Sequence, residues 1–345
     1  MTSTFWRGKT VLVAGATGFL GGWLVRRLLD DGAHIVTLVR SPKPESQFRK
    51  EGLDTRVSIE WGSVTDEPLI ENIFERYPIE FFFHAAYGAD VGRVLEEPLE
   101  CFKSAALSTW QILDFLRRHR PRCVSVISST DKVYGTQSIP YREDMPLQPI
   151  HPYETAKAAQ DFAAQSYGKI FKLPVAITRC GNYFGGYDFN FTRLIPGVVQ
   201  SIMRGEAPIL RSNGQFTRDF LYIEDAVDVQ LLLAQKLSAD ANLSGEAFNF
   251  SYGERVKVLD IVLQICRLLN APFNPVVNEN SRAEIPHIEL SSKKAKQMLD
   301  WQPSYGFVTG LERTVAWYRQ YFEEHPDATR DLAGEALPLQ NTLSN

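Results

Sequence analysis

Thr10-Val11-Leu12-Val13-Ala14-Gly15-Ala16-Thr17-Gly18-Phe19-Leu20-Gly21 is the stretch that decides the fold. Its first five residues form an apolar run of the length and composition of a buried parallel strand. Glycines follow at 15, 18 and 21, and then Trp23-Leu24-Val25-Arg26-Arg27-Leu28-Leu29 is apolar at helical spacing. Glycine at such a turn lets the backbone approach a pyrophosphate, and the helix that follows presents its first amides to it. Three glycines alone mean little. Between a strand and a helix they predict a dinucleotide site lined by Gly15, Thr17, Gly18, Phe19, Leu20 and Gly21.

Outward from this stretch the pattern alternates. Strands are expected at 10–14, 34–39, 57–61, 80–84, 123–128 and 174–178, with helices at 20–31, 67–76, 98–119 and 153–172. Such alternation builds a parallel sheet covered on both faces. The expected fold is therefore α/β: a doubly wound, Rossmann-like parallel sheet with a smaller C-terminal substrate lobe. From Asn182 the chain becomes irregular and rich in Gly, Pro and aromatics, then reads helical from Asp225 to Leu237 and strand-like at Ala247-Phe248-Asn249-Phe250. The division expected is residues 1–181 with about 216–258 for the dinucleotide, 182–215 with about 259–326 for a substrate, and a loose tail over 327–345.

Chemistry is concentrated in Ser128-Ser129-Thr130-Asp131-Lys132-Val133-Tyr134-Gly135 and Tyr153-Glu154-Thr155-Ala156-Lys157. Tyr153 and Lys157 lie four apart and share one face of a helix. The lysine's charge is expected to lower the phenol's pKa, so that Tyr153 can take a proton from an alcohol while its carbon loses a hydride. Thr130 can bond the same oxygen. Asp131 and Lys132 add a second acid and a second base, which alcohol oxidation alone does not need.

These residues resemble the extended short-chain dehydrogenase/reductase family. The resemblance rests on Gly15/Gly18/Gly21, Tyr153/Lys157 and Val133-Tyr134-Gly135, and continues in Arg179-Cys180-Gly181-Asn182-Tyr183-Phe184-Gly185, Arg193-Leu194-Ile195-Pro196, Arg218-Asp219-Phe220-Leu221-Tyr222-Ile223-Glu224-Asp225 and Leu299-Asp300-Trp301-Gln302-Pro303. Within the family, Thr130-Asp131-Lys132 is similar to the nucleotide-sugar 4,6-dehydratase branch. Phe5-Trp6-Arg7-Gly8-Lys9, Gly185-Gly186-Tyr187-Asp188 and Pro286-His287 look most like the CDP-glucose 4,6-dehydratases. The resemblance implies Ser63, Val64, Ala85 and Ala86 beside the cofactor. It implies Asn182, Arg193, Leu194 and Arg218 on a nucleotide-diphosphate hexose, where bidentate arginine suits phosphate oxygens. An ion pair of Arg218 with Asp219 is the structural alternative.

Arg40 stands nineteen positions after Gly21, at the end of the second strand. An acid there would hold the adenosine ribose diol, whereas arginine, helped by Ser41 and Lys43, suits a 2′-phosphate. A tightly bound NADP or NAD is expected, with Arg40 tipping the choice to NADP; a solvated Arg40 stacking on adenine would leave NAD in place. Asp66 reads as a helix cap, and His84 as a structural hydrogen-bonder. Ala105 replaces the asparagine that the family places behind the lysine.

The resemblance implies an internal redox cycle. Tyr153 takes the O4 proton as the C4 hydride leaves, Lys132 takes the C5 proton, Asp131 protonates the departing C6 hydroxyl, and the hydride returns to C6. The roles of Asp131 and Lys132 can be exchanged. A nucleotide-sugar 4-epimerase would use Thr130, Tyr153 and Lys157 alone; a non-catalytic dinucleotide-sensing scaffold would need none of them.

A net charge of −4 disfavours a general nucleic-acid surface. No apolar run reaches eighteen residues, so no membrane span is expected. Cys101, Cys123, Cys180 and Cys266 have no metal-ligand spacing and read as buried thiols of a cytoplasmic protein, with no metal site. Leu107, Trp110, Ile112, Leu113, Phe115 and Leu116, with Phe162, Tyr167, Ile170 and Phe171, give the 98–119 and 153–172 helices more apolar residues than one sheet face needs. The expectation is a homodimer through a four-helix interface.

Overall fold

The computed structural model describes residues 4–86, 91–278 and 285–329. Each expected strand forms: β1 Thr10–Ala14, β2 His34–Val39, β3 Ser58–Trp61, β4 Phe81–His84, β5 Val124–Ser128, β6 Val175–Cys180 and β7 Ala247–Phe250. They make one parallel sheet in the order β7-β6-β5-β4-β1-β2-β3. The order steps outward from β1 in both directions. The C-terminal ends of β1 and β4 therefore open a crevice where a ligand can enter.

Alternation along the strands explains the two covering layers. Val11, Val13, Phe81 and Phe83 join one apolar cluster, while Leu12, Ala14 and Phe82 join the other. Successive side chains on a strand point to opposite faces, so an unbroken apolar run serves both layers. The first layer holds Leu24, Val25 and Leu28 of α1 (Phe19–Asp30). The second holds Ile70, Ile73 and Phe74 of α2 (Glu67–Arg76), where Asp66 accepts the Leu69 amide as the expected cap. Each buried Phe of β4 contributes on the order of 2–3 kcal/mol.

The expected 98–119 helix is not continuous. It divides into α3 (Pro98–Phe102), a π-helical turn (Lys103–Leu107) and α4 (Ser108–His119). α4 packs on α5 (Pro152–Phe171). Of the apolar residues expected on a dimer face, Ile112, Leu113, Phe115 and Leu116 are instead buried in this chain's own core. Helical spacing turns them inward, toward the sheet. Leu107, Trp110, Phe162, Ile170 and Phe171 remain exposed.

Beyond β6 the chain forms α6 (Leu194–Met203) and three short strand pairs outside the main sheet. It then returns as α7 (Ile223–Ala239), packed on α1, and as β7, whose Ala247 lies opposite Ile177 of β6. These are the helix expected at 225–237 and the strand expected at 247–250. α8 (Val258–Leu268) and α9 (Phe307–Glu324) complete the apolar cluster on that side. Of the expected tail, Pro326–Thr329 forms a 3-10 turn and residues 330–345 lie outside the described residues. All four cysteines are buried, and none is in a disulfide. No helix among the described residues is long and apolar enough to cross a membrane.

One buried ion pair ties these layers behind the crevice. Arg179 of β6 makes two bonds of 2.9 Å to Asp161 of α5 and one of 2.8 Å to the Tyr134 hydroxyl, which itself donates to Asn249 of β7 at 2.7 Å. Arg179 and Asp161 are 2% and 0% exposed.

Candidate active site

The glycine turn fits a dinucleotide on its own geometry. Gly15 has φ +98°, and a Cβ there would lie 2.6 Å from the Ala85 carbonyl. A Cβ on Gly21 would sit 2.0 Å from the Gly15 oxygen. The first turn of α1 is therefore drawn against the end of β1, with Ala85 and Ala86 passing alongside. Gly18 caps α1 with no side chain, and no acid stands in the first turn. An anion meets the positive end of the helix dipole there without a competing carboxylate.

At the adjacent strand ends, Arg40 is exposed. Burial, with Arg193 and Arg40 nearby, lowers the Lys43 pKa, and Asp188 opposes the shift. Arg193 and Lys43, far apart in sequence, are thus neighbours. The Ser63 hydroxyl bonds Thr65 at 2.8 Å, and Val64 is buried.

β5 ends at Ser128 and delivers Thr130, which caps the 3-10 turn Asp131–Tyr134 through the Lys132 amide. Thr130 Oγ1 donates to Asp131 Oδ1 at 2.9 Å. Asp131 is 1% exposed, and its Oδ2 is buried with no hydrogen-bond partner among the described residues. Burial raises the Asp131 pKa, against Lys132, Thr130 and Arg218. The carboxyl is therefore predisposed to hold a proton.

α5 supplies the tyrosine and lysine, and its start is fixed by a capping box. The His151 side chain accepts the Tyr153 amide at 3.2 Å, and Glu154 accepts the His151 amide at 3.3 Å. Tyr153 hydrogen-bonds the Thr130 side chain. Lys132 Nζ lies 5.9 Å from the centroid of the Tyr153 ring. Thr130, Asp131, Lys132, Tyr153 and Lys157 are thus brought together.

The expected lowering of the Tyr153 phenol is not met. Burial pushes it up to about 12, with Thr130 opposing. The reason is that dehydration of the buried phenolate outweighs the Thr130 hydrogen bond, and the Asp131 charge pushes the same way as burial. Lys157, 4% exposed, donates to Ser128 O at 2.7 Å and Gln160 Oε1 at 2.9 Å, and burial lowers it to about 8.

His84 is a structural hydrogen-bonder here. Its Nε2 lies 3.3 Å from Ser108 Oγ, which donates onward to Ser104 O. Burial, then the Lys157 charge, lowers it to about 3, so the ring is neutral.

Across the crevice, Asn182 begins a strand paired with Phe220–Tyr222. Arg193 caps α6 ahead of Leu194 and bonds Asp188 at 3.0 Å. Arg218 donates to the carbonyls of Thr217, Ile285 and Pro286 at 3.0, 2.8 and 3.1 Å. Asp219 accepts the Leu290 amide at 2.9 Å. Gln160 and Thr109 were missed in the sequence, although Gln160 stands one helical turn from Lys157.

The family model described as "NAD dependent epimerase/dehydratase family" matches residues 11–250. The dTDP-glucose 4,6-dehydratase of Haemophilus influenzae is 28% identical over 337 residues, covering 89% of this chain and 97% of that protein. The CDP-glucose 4,6-dehydratase of Salmonella typhimurium is 26% identical over 332 residues, 92% of each. The crystal structure of a Bacillus anthracis dTDP-glucose 4,6-dehydratase in complex with NAD superposes with a TM-score of 0.81 at 24% identity, over 93% of this chain and 100% of that one. A Thermotoga maritima UDP-glucose 4-epimerase with UDP-glucose also gives 0.81, at 23% identity over 91% and 99%. At these identities the superpositions show the fold alone.

Proposed function

This chain belongs to the NAD dependent epimerase/dehydratase family, and from that premise we propose that it is a nucleotide-sugar 4,6-dehydratase. Its product would be a nucleotide-linked 4-keto-6-deoxyhexose. The observation that carries the reading is Asp131: a buried carboxyl with one oxygen unpartnered among the described residues, bonded through Thr130 to the tyrosine that oxidation needs. A 4-epimerase has no task for such an acid.

A dinucleotide held by Gly15, Thr17, Gly18, Phe19, Leu20, Gly21, Ser63, Val64, Ala85, Ala86, Tyr153 and Lys157 would supply the acceptor for the C4 hydride and its return to C6. Tyr153, whose phenol burial holds up at about 12, must give up its proton before it can receive the one on O4; the Lys157 ammonium and the positive charge of an oxidised dinucleotide would favour that loss. The new C4 carbonyl acidifies C5–H, whose proton Lys132 takes and later returns. Asp131 gives its proton to the C6 hydroxyl, which departs as water. Each cycle leaves Tyr153 one proton richer and Asp131 one poorer. The Thr130 hydroxyl, bonded to both, offers the return path.

Segments 182–215 and about 259–326 are proposed as the nucleotide-sugar lobe, with Asn182, Arg193, Leu194 and Arg218 toward the diphosphate. The Asp131–Lys132 pair favours CDP-glucose; the relatives act by name on dTDP-glucose or CDP-glucose. Arg40, with Ser41 and Lys43 beside it in sequence, is the support for NADP, against a family named for NAD. The exposed Leu107, Trp110, Phe162, Ile170 and Phe171 are proposed to pair two copies of the chain, in the cytoplasm.

The test is incubation with CDP-, dTDP-, GDP- and UDP-hexoses, followed by mass spectrometry. Loss of one water from a single nucleotide class is expected. Epimerised substrate of unchanged mass would overturn the assignment. Denaturing the same protein identifies the dinucleotide it carries.

A further inference from the structure

We propose that Gln160 is a positioning residue for the active-site lysine: its side-chain amide fixes where the Lys157 ammonium sits and how firmly it keeps its proton. The proposal rests on Lys157 belonging to the catalytic set above.

Two of the oxygens that hold Lys157 differ in kind. Ser128 O belongs to the end of β5 and cannot turn. Gln160 Oε1 belongs to a side chain that can, and a rotated amide would present N–H groups to an ammonium. The rotation is blocked. Gln160 Nε2 donates to Thr109 Oγ1 at 2.9 Å, and the Thr109 hydroxyl is itself committed as a donor to Ala105 O at 2.6 Å. Thr109 can therefore only accept from Gln160, which assigns the amide's oxygen to the lysine side. Donors run one way, from Lys157 through Gln160 and Thr109 to Ala105. Gln160, Thr109 and Ala105 are each 0% exposed. The chain ends on a buried main-chain carbonyl in the π-helical turn, so it holds the ammonium and does not lead its proton to water.

The charge of the partner matters as much as its place. Asp161, the next residue, is the near carboxylate on α5, and it is committed to Arg179 of β6. Among the described residues, the other titratable groups coupled to the lysine are Cys101 on α3 and His84 at the end of β4. His84 is neutral. A neutral amide dipole thus faces the ammonium where a carboxylate would pin it. An amide favours the charged form, but by less than a full charge does. Lys157 is left able to titrate near neutral pH, with its position kept.

The experiment follows the Lys157 titration by NMR in full-length, dinucleotide-bound protein carrying lysine labelled with 13C at Cε. The resonance is assigned by its absence in Lys157→Ala. Gln160→Leu should lower the midpoint by about one unit, a tenfold weaker hold on the proton. Gln160→Glu should raise it by about as much. Thr109→Val, which frees the amide to turn, should lower it by less, and Thr109→Ser should restore the wild-type value. The alkaline limb of kcat/KM for nucleotide-hexose consumption should move in the same directions. A structural role alone would lower the melting temperature of Gln160→Leu and leave the midpoints in place. Midpoints unmoved in Gln160→Glu and Thr109→Val overturn the proposal, even if Gln160→Leu does not fold. Midpoints that move in a protein consuming no nucleotide hexose support it and sink the dehydratase reading instead.

Discussion

Replacing Arg179 by leucine should be among the most damaging single changes outside the crevice. Its guanidinium is the partner of a carboxylate that has no access to water: Asp161 is 0% exposed and bonded to both Arg179 Nε and Nη2 at 2.9 Å. Removing one member of a buried pair strands the other, at about 4 kcal/mol. The Tyr134 hydroxyl loses a donor but still donates to Asn249 at 2.7 Å, so its share is small. For a chain of 345 residues about 4 kcal/mol lowers the melting temperature by roughly 5 to 6 °C. The double variant Asp161→Leu/Arg179→Leu removes both charges. It should recover to within about 2 kcal/mol of wild type, because an apolar pair of similar volume is often neutral. Urea unfolding followed by far-ultraviolet circular dichroism, at one fixed protein concentration, measures all three proteins. An Arg179→Leu loss below about 1 kcal/mol, or a double variant weaker than the single one, would refute the reasoning.

Tyr153→Phe should abolish turnover and retain the dinucleotide, and Lys132→Ala should stall after C4 oxidation; normal loss of water by either variant, seen by mass spectrometry, removes that residue from the chemistry. Gly21→Ala places a Cβ 2.0 Å from the Gly15 oxygen and should weaken dinucleotide binding by about 3 kcal/mol, roughly a hundredfold; calorimetry showing wild-type affinity would contradict the close approach. His84 has its folded pKa lowered from 6.5 to about 3, so below pH 6.5 the unfolded chain binds a proton that the native ring refuses. Its contribution is complete above pH 6.5 and is lost as pH falls toward 3, by up to about 1.4 kcal/mol per unit. His84→Leu should flatten the fall in urea midpoint between pH 7 and 5, and identical slopes in the two proteins argue against a buried neutral ring. Light scattering should give twice the 39.0 kDa chain mass, and Trp110→Glu with Phe162→Glu should give one; a wild type of single mass ends the proposed interface.

The sheet was legible because buried parallel strands are apolar on both faces, as in Phe81-Phe82-Phe83, and because Gly15, Gly18 and Gly21 punctuate one turn. Thr130, Asp131, Lys132, Tyr153 and Lys157 were legible because strand end and helix start bring two short motifs together. Electrostatics was less so. Spacing puts Tyr153 and Lys157 on one face, but only burial decides that the phenol rises to about 12 and the ammonium falls to about 8. The dimer face was overread for a related reason: periodicity marks Ile112, Leu113 and Leu116 as apolar, and only packing shows that this chain covers them itself. Thr109 was out of reach, since it meets Gln160 only after α4 has docked on α5.

The π-helical turn at Lys103–Leu107 carries one more residue per turn than its neighbours α3 and α4. That surplus is a form of information that substitution tables do not record. Excising a single residue there would let the two helices fuse into a regular one, a gain by local propensity. The same excision would swing Thr109 about a quarter of the way around the helix axis, away from Gln160. Length and function therefore pull in opposite directions over five residues, so a shorter relative of this chain would need another way to hold its lysine.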